Sequence, residues 1–308
     1  MSLDLHGRTV AVLGGDGRDV EIARHAALAG AEVRTCGLPA DAVRAVGAYP
    51  VATIADAVDN ADIVICPVPL PAADGSLFTP LTGARLVPDT EALRGMRRNG
   101  ILITGRASAQ MREAAEALRL KLREYEQDEE LMLLRAPAIA EGAIRLAIEH
   151  TDVTLHRNPC MVVGFGKIGP TVAAALVGLG ARVTVAARNP VQRARAWVMG
   201  CEAIPLSALA EYAPRMAVVF NTAPARLFTR DIVQRLGRDT LLIDLAGPPG
   251  AVDRDAAQEF GVRTVWARGL GGRAPRTVGQ AQWSGIVRIL EAELDPPAPR
   301  DAEPWVHR

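Results

Sequence analysis

The chain has 308 residues, 49% of them hydrophobic, with 35 Lys and Arg balancing 35 Asp and Glu. At about 150 residues per domain this predicts two domains, each able to bury its own core. Zero net charge excludes the electrostatic footprint of a nucleic-acid binder, and no apolar run reaches the roughly 18 residues of a membrane span.

The N-terminal MSLDLHGR lacks the apolar core of a signal peptide. Residues 8–37 then read as strand, glycine turn, helix, Gly-Ala pair and second strand. Apolar runs at 62–67 and 100–104 are the next strands, and the acidic stretch 124–130 reads as a solvated helix face. A helix over 138–150, placing Ala140, Ala143, Ile144, Ala147 and Ile148 on one side, joins two halves. Residues 158–187 repeat the 8–37 layout without a gap at an offset of 150, Gly14 matching Gly164 and Gly30 matching Gly180. Strands follow at 217–221, 240–245 and 263–266, and then a helix at 277–294. The four cysteines have no metal or redox spacing and read as small buried thiols; no metal site is expected.

Strands alternating with helices in both halves predict two doubly wound, Rossmann-like α/β domains with parallel sheets. The expected division is 1–137 for the first domain, 138–150 for the connecting helix and 151–277 for the second domain. A helix at 278–295 returns to the first domain, and 296–308 is a Pro-rich tail. Two crossings of this kind suit a hinged interdomain cleft.

The two glycine turns are not equivalent. Gly164-Phe165-Gly166-Lys167-Ile168-Gly169 is a complete G-x-G-x-x-G between strand and helix. Its first glycine permits the turn, its second admits a pyrophosphate and its third lets helix and strand pack closely. The helix N-terminus then offers N–H groups to the phosphates. At the end of the following strand the sequence reads Ala187-Arg188-Asn189, with no carboxylate for the ribose hydroxyls. Arg188 suits a 2′-phosphate, so NADP(H) is preferred over NAD(H); the bland alternative is a solvated arginine in a chain with 33 Arg and two Lys. Lys167 adds positive potential or is simply solvated. Asn221 and Thr222, at the carboxyl edge of the sheet, are further cofactor contacts. In the first repeat Asp16 and Asp19 stand where Gly166 and Gly169 stand in the second. A carboxylate there repels phosphate and obstructs it, so the first domain has the scaffold without the dinucleotide site.

The stretches GGDGRDVEI, EGAIRLAIEHTD, GFGKIG, NTAP, LIDLAGPPGAVD and GLGGRAPRTVGQ resemble the dipicolinate synthase A subunits, across residues 11 to 280. Gly17, Gly247 and the Leu270-Gly271-Gly272 triplet depart from that family's pattern without removing a cofactor-binding feature. The resemblance implies a soluble protein in the mother-cell cytoplasm of a sporulating bacterium, acting with a flavoprotein-like B subunit. The implied reaction takes two hydrogens from a cyclic product of dihydrodipicolinate synthase, with a nicotinamide cofactor as hydride acceptor, and yields pyridine-2,6-dicarboxylate.

Two carboxylates call for arginine forks. Arg18, Arg106, Arg273 and Arg276, at strand ends or glycine-rich loops, are the candidates, against the alternative of ordinary ion pairs. His150 is a candidate proton carrier or a helix-terminal cation, and Asp244 a candidate catalytic carboxylate or a turn cap. A D-2-hydroxyacid dehydrogenase would need a late histidine, and there is none between 157 and 306. Because no acid–base pair identifies itself, a non-catalytic NADP-binding scaffold for the partner remains the alternative, and self-association stays open.

Overall fold

The computed structural model describes residues 3–126 and 128–294, so the tail expected at 296–308 lies outside the described residues. Among the described residues, twelve strands form two parallel six-stranded sheets. The first contains β1 (Thr9–Leu13), β2 (Glu32–Cys36), β3 (Tyr49–Pro50), β4 (Ile63–Ile65), β5 (Ile101–Thr104) and β6 (Lys121–Glu124). The second contains β7 (Pro159–Val163), β8 (Arg182–Ala187), β9 (Glu202–Pro205), β10 (Val218–Asn221), β11 (Leu241–Asp244) and β12 (Arg263–Trp266).

In chain order the helices of the first half are α1 (Gly17–Leu28), α2 (Ala40–Arg44), α3 (Ile54–Val58), α4 (Ala109–Leu118), α5 (Glu129–Leu134) and α6 (Ala136–Glu149). They continue as α7 (Gly169–Gly178), α8 (Pro190–Val198), α9 (Leu209–Tyr212), α10 (Arg230–Val233), α11 (Arg254–Phe260) and α12 (Pro275–Leu294). Among the described residues the chain divides into one compact unit that runs to Leu131 and resumes over Pro275–Leu294, and a second from Met132–Ala274. Helix α6 belongs to the second unit and α12 to the first.

Both sheets have the same order. β3-β2-β1-β4-β5-β6 in the first is matched by β9-β8-β7-β10-β11-β12 in the second. This is the doubly wound Rossmann arrangement, with the strand order reversing beside β1 and β7. The central strands are near-continuous apolar runs because helices cover both faces. Val10 to Leu13, Ile63 to Ile65 and Cys160 to Val163 are completely buried, each large aliphatic contributing roughly 1.5–3 kcal/mol. All four thiols are buried, and burial pushes Cys160 up to about 12.

In the first unit α12 lies against α1 so closely that a Cβ on Gly279 would stand 2.6 Å from Glu21 Cβ. His25 of α1 stacks on Trp283 of α12. The acidic stretch 124–130 is not the single helix face expected of it. Glu124 closes β6, where its carboxylate accepts from the Ala107 amide at 2.6 Å and Arg112 at 2.8 Å. Tyr125 is buried in the core, and α5 begins only at Glu129.

Candidate functional site

The turn after β7 is held from below and open above. The Gly164 amide donates to Ala186 O at 2.9 Å, and Thr222 Oγ1, just past β10, donates toward Val163 O at 3.1 Å and Gly164 O at 3.2 Å. A Cβ on Gly164 would stand 2.7 Å from Thr222 Oγ1, in a backbone with φ of +91°, and one on Gly169 would run into the Gly164 carbonyl. Those two glycines are structural necessities. Gly166 is different: it is exposed, and a Cβ there would meet nothing within 4 Å.

Phe165 turns inward and packs in the core, fixing the loop, while Lys167 and Ile168 are half-buried. The N-terminus of α7 receives no side-chain cap, although Pro170 carries no N–H and the Thr171 amide already donates to Ile168 O at 3.1 Å. N-cap Ile168 has no side-chain acceptor, and no acidic residue lies in the first turn. The Gly169 amide and the positive end of the helix dipole are therefore left beside the Gly166 turn without a side-chain acceptor. The residues present fit a dinucleotide pyrophosphate.

At the end of β8, Arg188 is exposed and makes no ion pair among the described residues. Asn189, expected to touch cofactor, spends its side-chain oxygen on the Val191 amide at 2.8 Å as the N-cap of α8. Sequence reasoning missed Arg193. Its Nη1 donates to Ala187 O at 2.9 Å and Arg188 O at 2.8 Å, so two guanidiniums mark this strand end. The available signal was a second basic residue one turn into α8.

Asn221 and Asp244 end adjacent strands and are buried together. Asn221 Nδ2 donates to Asp244 Oδ1 at 2.8 Å and to Ala223 O at 3.0 Å. The Asp244 carboxylate also accepts the amides of Ala246 at 3.1 Å and Ala251 at 2.7 Å. Asp244 thus caps the loop after β11, the second of its two sequence readings, and its oxygens are already engaged. Asn221 shapes the loop after β10 rather than presenting its amide outward.

His150 is not brought to this group. It ends α6, exposed, with Nδ1 on Leu146 O at 2.9 Å and its carbonyl accepting from Arg263, the first residue of β12. That is the amino edge of the sheet, the length of a strand away from the glycine turn.

The turn after β1 is closed by its own side chains. Asp16 caps α1 and Asp19 Oδ2 returns to the Asp16 amide at 2.9 Å, a reciprocal capping box. The Asp19 carboxylate occupies the space where a Cβ on Gly15 would point. Burial pushes Asp19 up to about 7, against the pull of Arg18. Arg18, expected to hold substrate, is only 5% exposed, with Nε and Nη2 on Asp16 at 2.8 and 2.9 Å.

The connection 66–100 adds a second obstruction. The Gly15 amide donates to Phe78 O at 2.6 Å, Leu77 and Thr79 lie against Gly14, and Leu86 lies against Gly37 at the end of β2. Of the remaining arginine candidates, Arg106 pairs with Glu126 at 3.2 Å and Arg273 pairs with Glu141. Arg276, in the first turn of α12, is exposed and makes no ion pair among the described residues. Also among the described residues, no cluster of His, Cys, Asp and Glu suits a metal, and no helix is long and apolar enough to cross a membrane.

Comparison with known proteins agrees with this architecture. Residues 9–126 match the family of N-terminal domains of the dipicolinate synthase A subunit, and residues 145–265 match shikimate / quinate 5-dehydrogenase. The dipicolinate synthase A subunit of Bacillus subtilis (strain 168) is 30% identical over 288 residues, covering 93% of this chain and 97% of that one. The crystal structure of the dipicolinate synthase A subunit from Bacillus halodurans superposes with a TM-score of 0.85 at 27% identity, over 93% of this chain and 99% of that one. A transhydrogenase from Sinorhizobium meliloti shares the fold alone, with a TM-score of 0.68 at 18% identity over 92% and 95% of the two chains. Identity at this level along nearly the whole length of both chains settles membership: the chain belongs to the family of dipicolinate synthase A subunits.

Proposed function

We propose that this chain is the NADP(H)-dependent oxidoreductase subunit that converts a dihydrodipicolinate-type cyclic dicarboxylate to dipicolinate, working with a flavoprotein-like B subunit. The observation that carries the reading is the open turn at Gly166, facing an uncapped α7, in a member of this family. A bound nicotinamide dinucleotide supplies a two-electron hydride acceptor.

The chain's own part is binding and positioning. The Gly166 turn and the Gly169 amide that opens α7 receive the pyrophosphate. Arg188, with Arg193 beside it, takes the 2′-phosphate through charge-assisted hydrogen bonds, and Lys167 adds positive potential. Thr222 keeps the turn in shape, while Asn221 and Asp244 hold the loops after β10 and β11 as positioning residues. His150 has no role in this reading, because it lies at the opposite edge of the sheet.

A second reading is a non-catalytic NADP-binding scaffold for the B subunit. It is favoured by one observation: neither sequence candidate for proton transfer faces the turn. The two separate in one experiment. The chain is purified with and without its partner and given the dihydrodipicolinate-synthase product, with NADPH absorbance and dipicolinate followed together. The oxidoreductase reading expects NADPH and dipicolinate to form in equal amounts; dipicolinate formation without NADPH favours the scaffold.

A further inference from the structure

At the carboxyl end of β12 one indole carries two guanidiniums. The Arg254 guanidinium carbon lies 3.7 Å from the Trp266 ring centroid and that of Arg268 4.8 Å away. Arg254 opens α11 and Arg268 stands two residues beyond β12, so a helix start and a strand end deliver both cations to the same ring. Trp266 is itself held, its Nε1 donating to Ala246 O at 2.9 Å. The loop providing that carbonyl is fixed by the buried Asp244 carboxylate through the Ala246 and Ala251 amides.

Both arginines are exposed, and among the described residues neither has a carboxylate partner. Arg18, Arg106 and Arg273, by contrast, are all neutralised. A guanidinium stacked on an indole keeps its plane and its donors preorganised, and two uncompensated ones select a ligand with two negative groups. Their place in the sheet is suitable. β12 lies on the side of β7 away from β8 and Arg188, at the carboxyl edge where doubly wound sheets bind ligands.

We propose that Arg254 and Arg268, held on Trp266, are the dicarboxylate-binding pair of this chain, one fork for each carboxylate of a planar ring. The identity of the ring rests on the oxidoreductase reading above; the pairing of cations with a dicarboxylate does not.

The test is calorimetric titration of the full chain with pyridine-2,6-dicarboxylate and, separately, benzene-1,3-dicarboxylate. Arg254→Ala and Arg268→Ala should each weaken pyridine-2,6-dicarboxylate binding by about 10-fold and the double variant by about 100-fold, the loss of one and two charge-assisted contacts. NADP affinity and melting temperature should not move, and Arg254→Gln with Arg268→Gln provides a milder double variant if the alanine pair folds poorly. Wild-type affinity in either double variant, or no binding of either dicarboxylate by the native chain, would overturn the site. Arginine-dependent binding of benzene-1,3-dicarboxylate alone would keep the site and overturn the pyridine-forming reading.

Discussion

The turn after β1 and the turn after β7 occupy the same position in sheets of identical strand order, yet one is closed and the other open. In the first, Asp16 and Asp19 satisfy the amides at the start of α1, Arg18 closes on Asp16, and Leu77 to Leu86 cover the strand ends. In the second, glycines stand at both positions, α7 has no side-chain cap, and Arg188 at the end of β8 makes no ion pair among the described residues. A helix N-terminus favours an anion or a cap; the first copy of the scaffold supplies the cap from its own side chains and the second does not. Two carboxylates and one long connection close the first copy of the scaffold, and the second lacks both.

The sharpest way to break this contrast is to make the second turn resemble the first. Gly166→Asp places a carboxylate beside the α7 N-terminus and should lower NADP affinity by more than about 100-fold, read by calorimetry. Next in size is Arg188→Ala. It should cost roughly 1.5–3 kcal/mol of NADP binding and little of NAD binding, and an equal loss for both would remove the 2′-phosphate assignment.

The closed turn makes a pH prediction. Asp19 holds its proton to about 7 in the folded chain against 3.8 ordinarily. The folded state thus binds more protons between these values, and stability falls as pH rises from about 4 to 7. The loss is fully present above 7 and absent below 4. Asp19→Asn should flatten that slope, gaining roughly 1–3 kcal/mol at pH 8 and nothing at pH 4 in denaturant titrations. The smallest effect expected is on opening the first turn. Asp16→Gly with Asp19→Gly should create no second NADP site, because the 77–86 segment still covers it; two sites per chain would reduce the difference to the carboxylates alone.

Much of this is legible in the residues. The repeat at an offset of 150, the central strands and the unequal glycine turns follow from apolar runs and from Asp16 and Asp19 standing in place of glycines. The edge strands β3, β6 and β9 are not. They are short, β3 being only Tyr49 and Pro50, and β6 runs straight into an acidic stretch whose composition suggests solvent. The capping box has a visible signature, Asp16 and Asp19 three residues apart at a helix start. Its consequence, an Arg18 already occupied, depends on side-chain geometry that no spacing encodes. For the same reason the pattern 253–268 gives no warning that Arg254 joins Arg268 on Trp266, since only the fold brings the start of α11 back to the end of β12.

Hydrogen–deuterium exchange of the full chain with and without saturating NADP compares the two turns in one measurement. An open second turn and a closed first one predict slowed exchange in peptides spanning 163–172, where the turn amides and the start of α7 gain a partner, and no change across 13–22. Protection across 13–22, or none across 163–172, would contradict it.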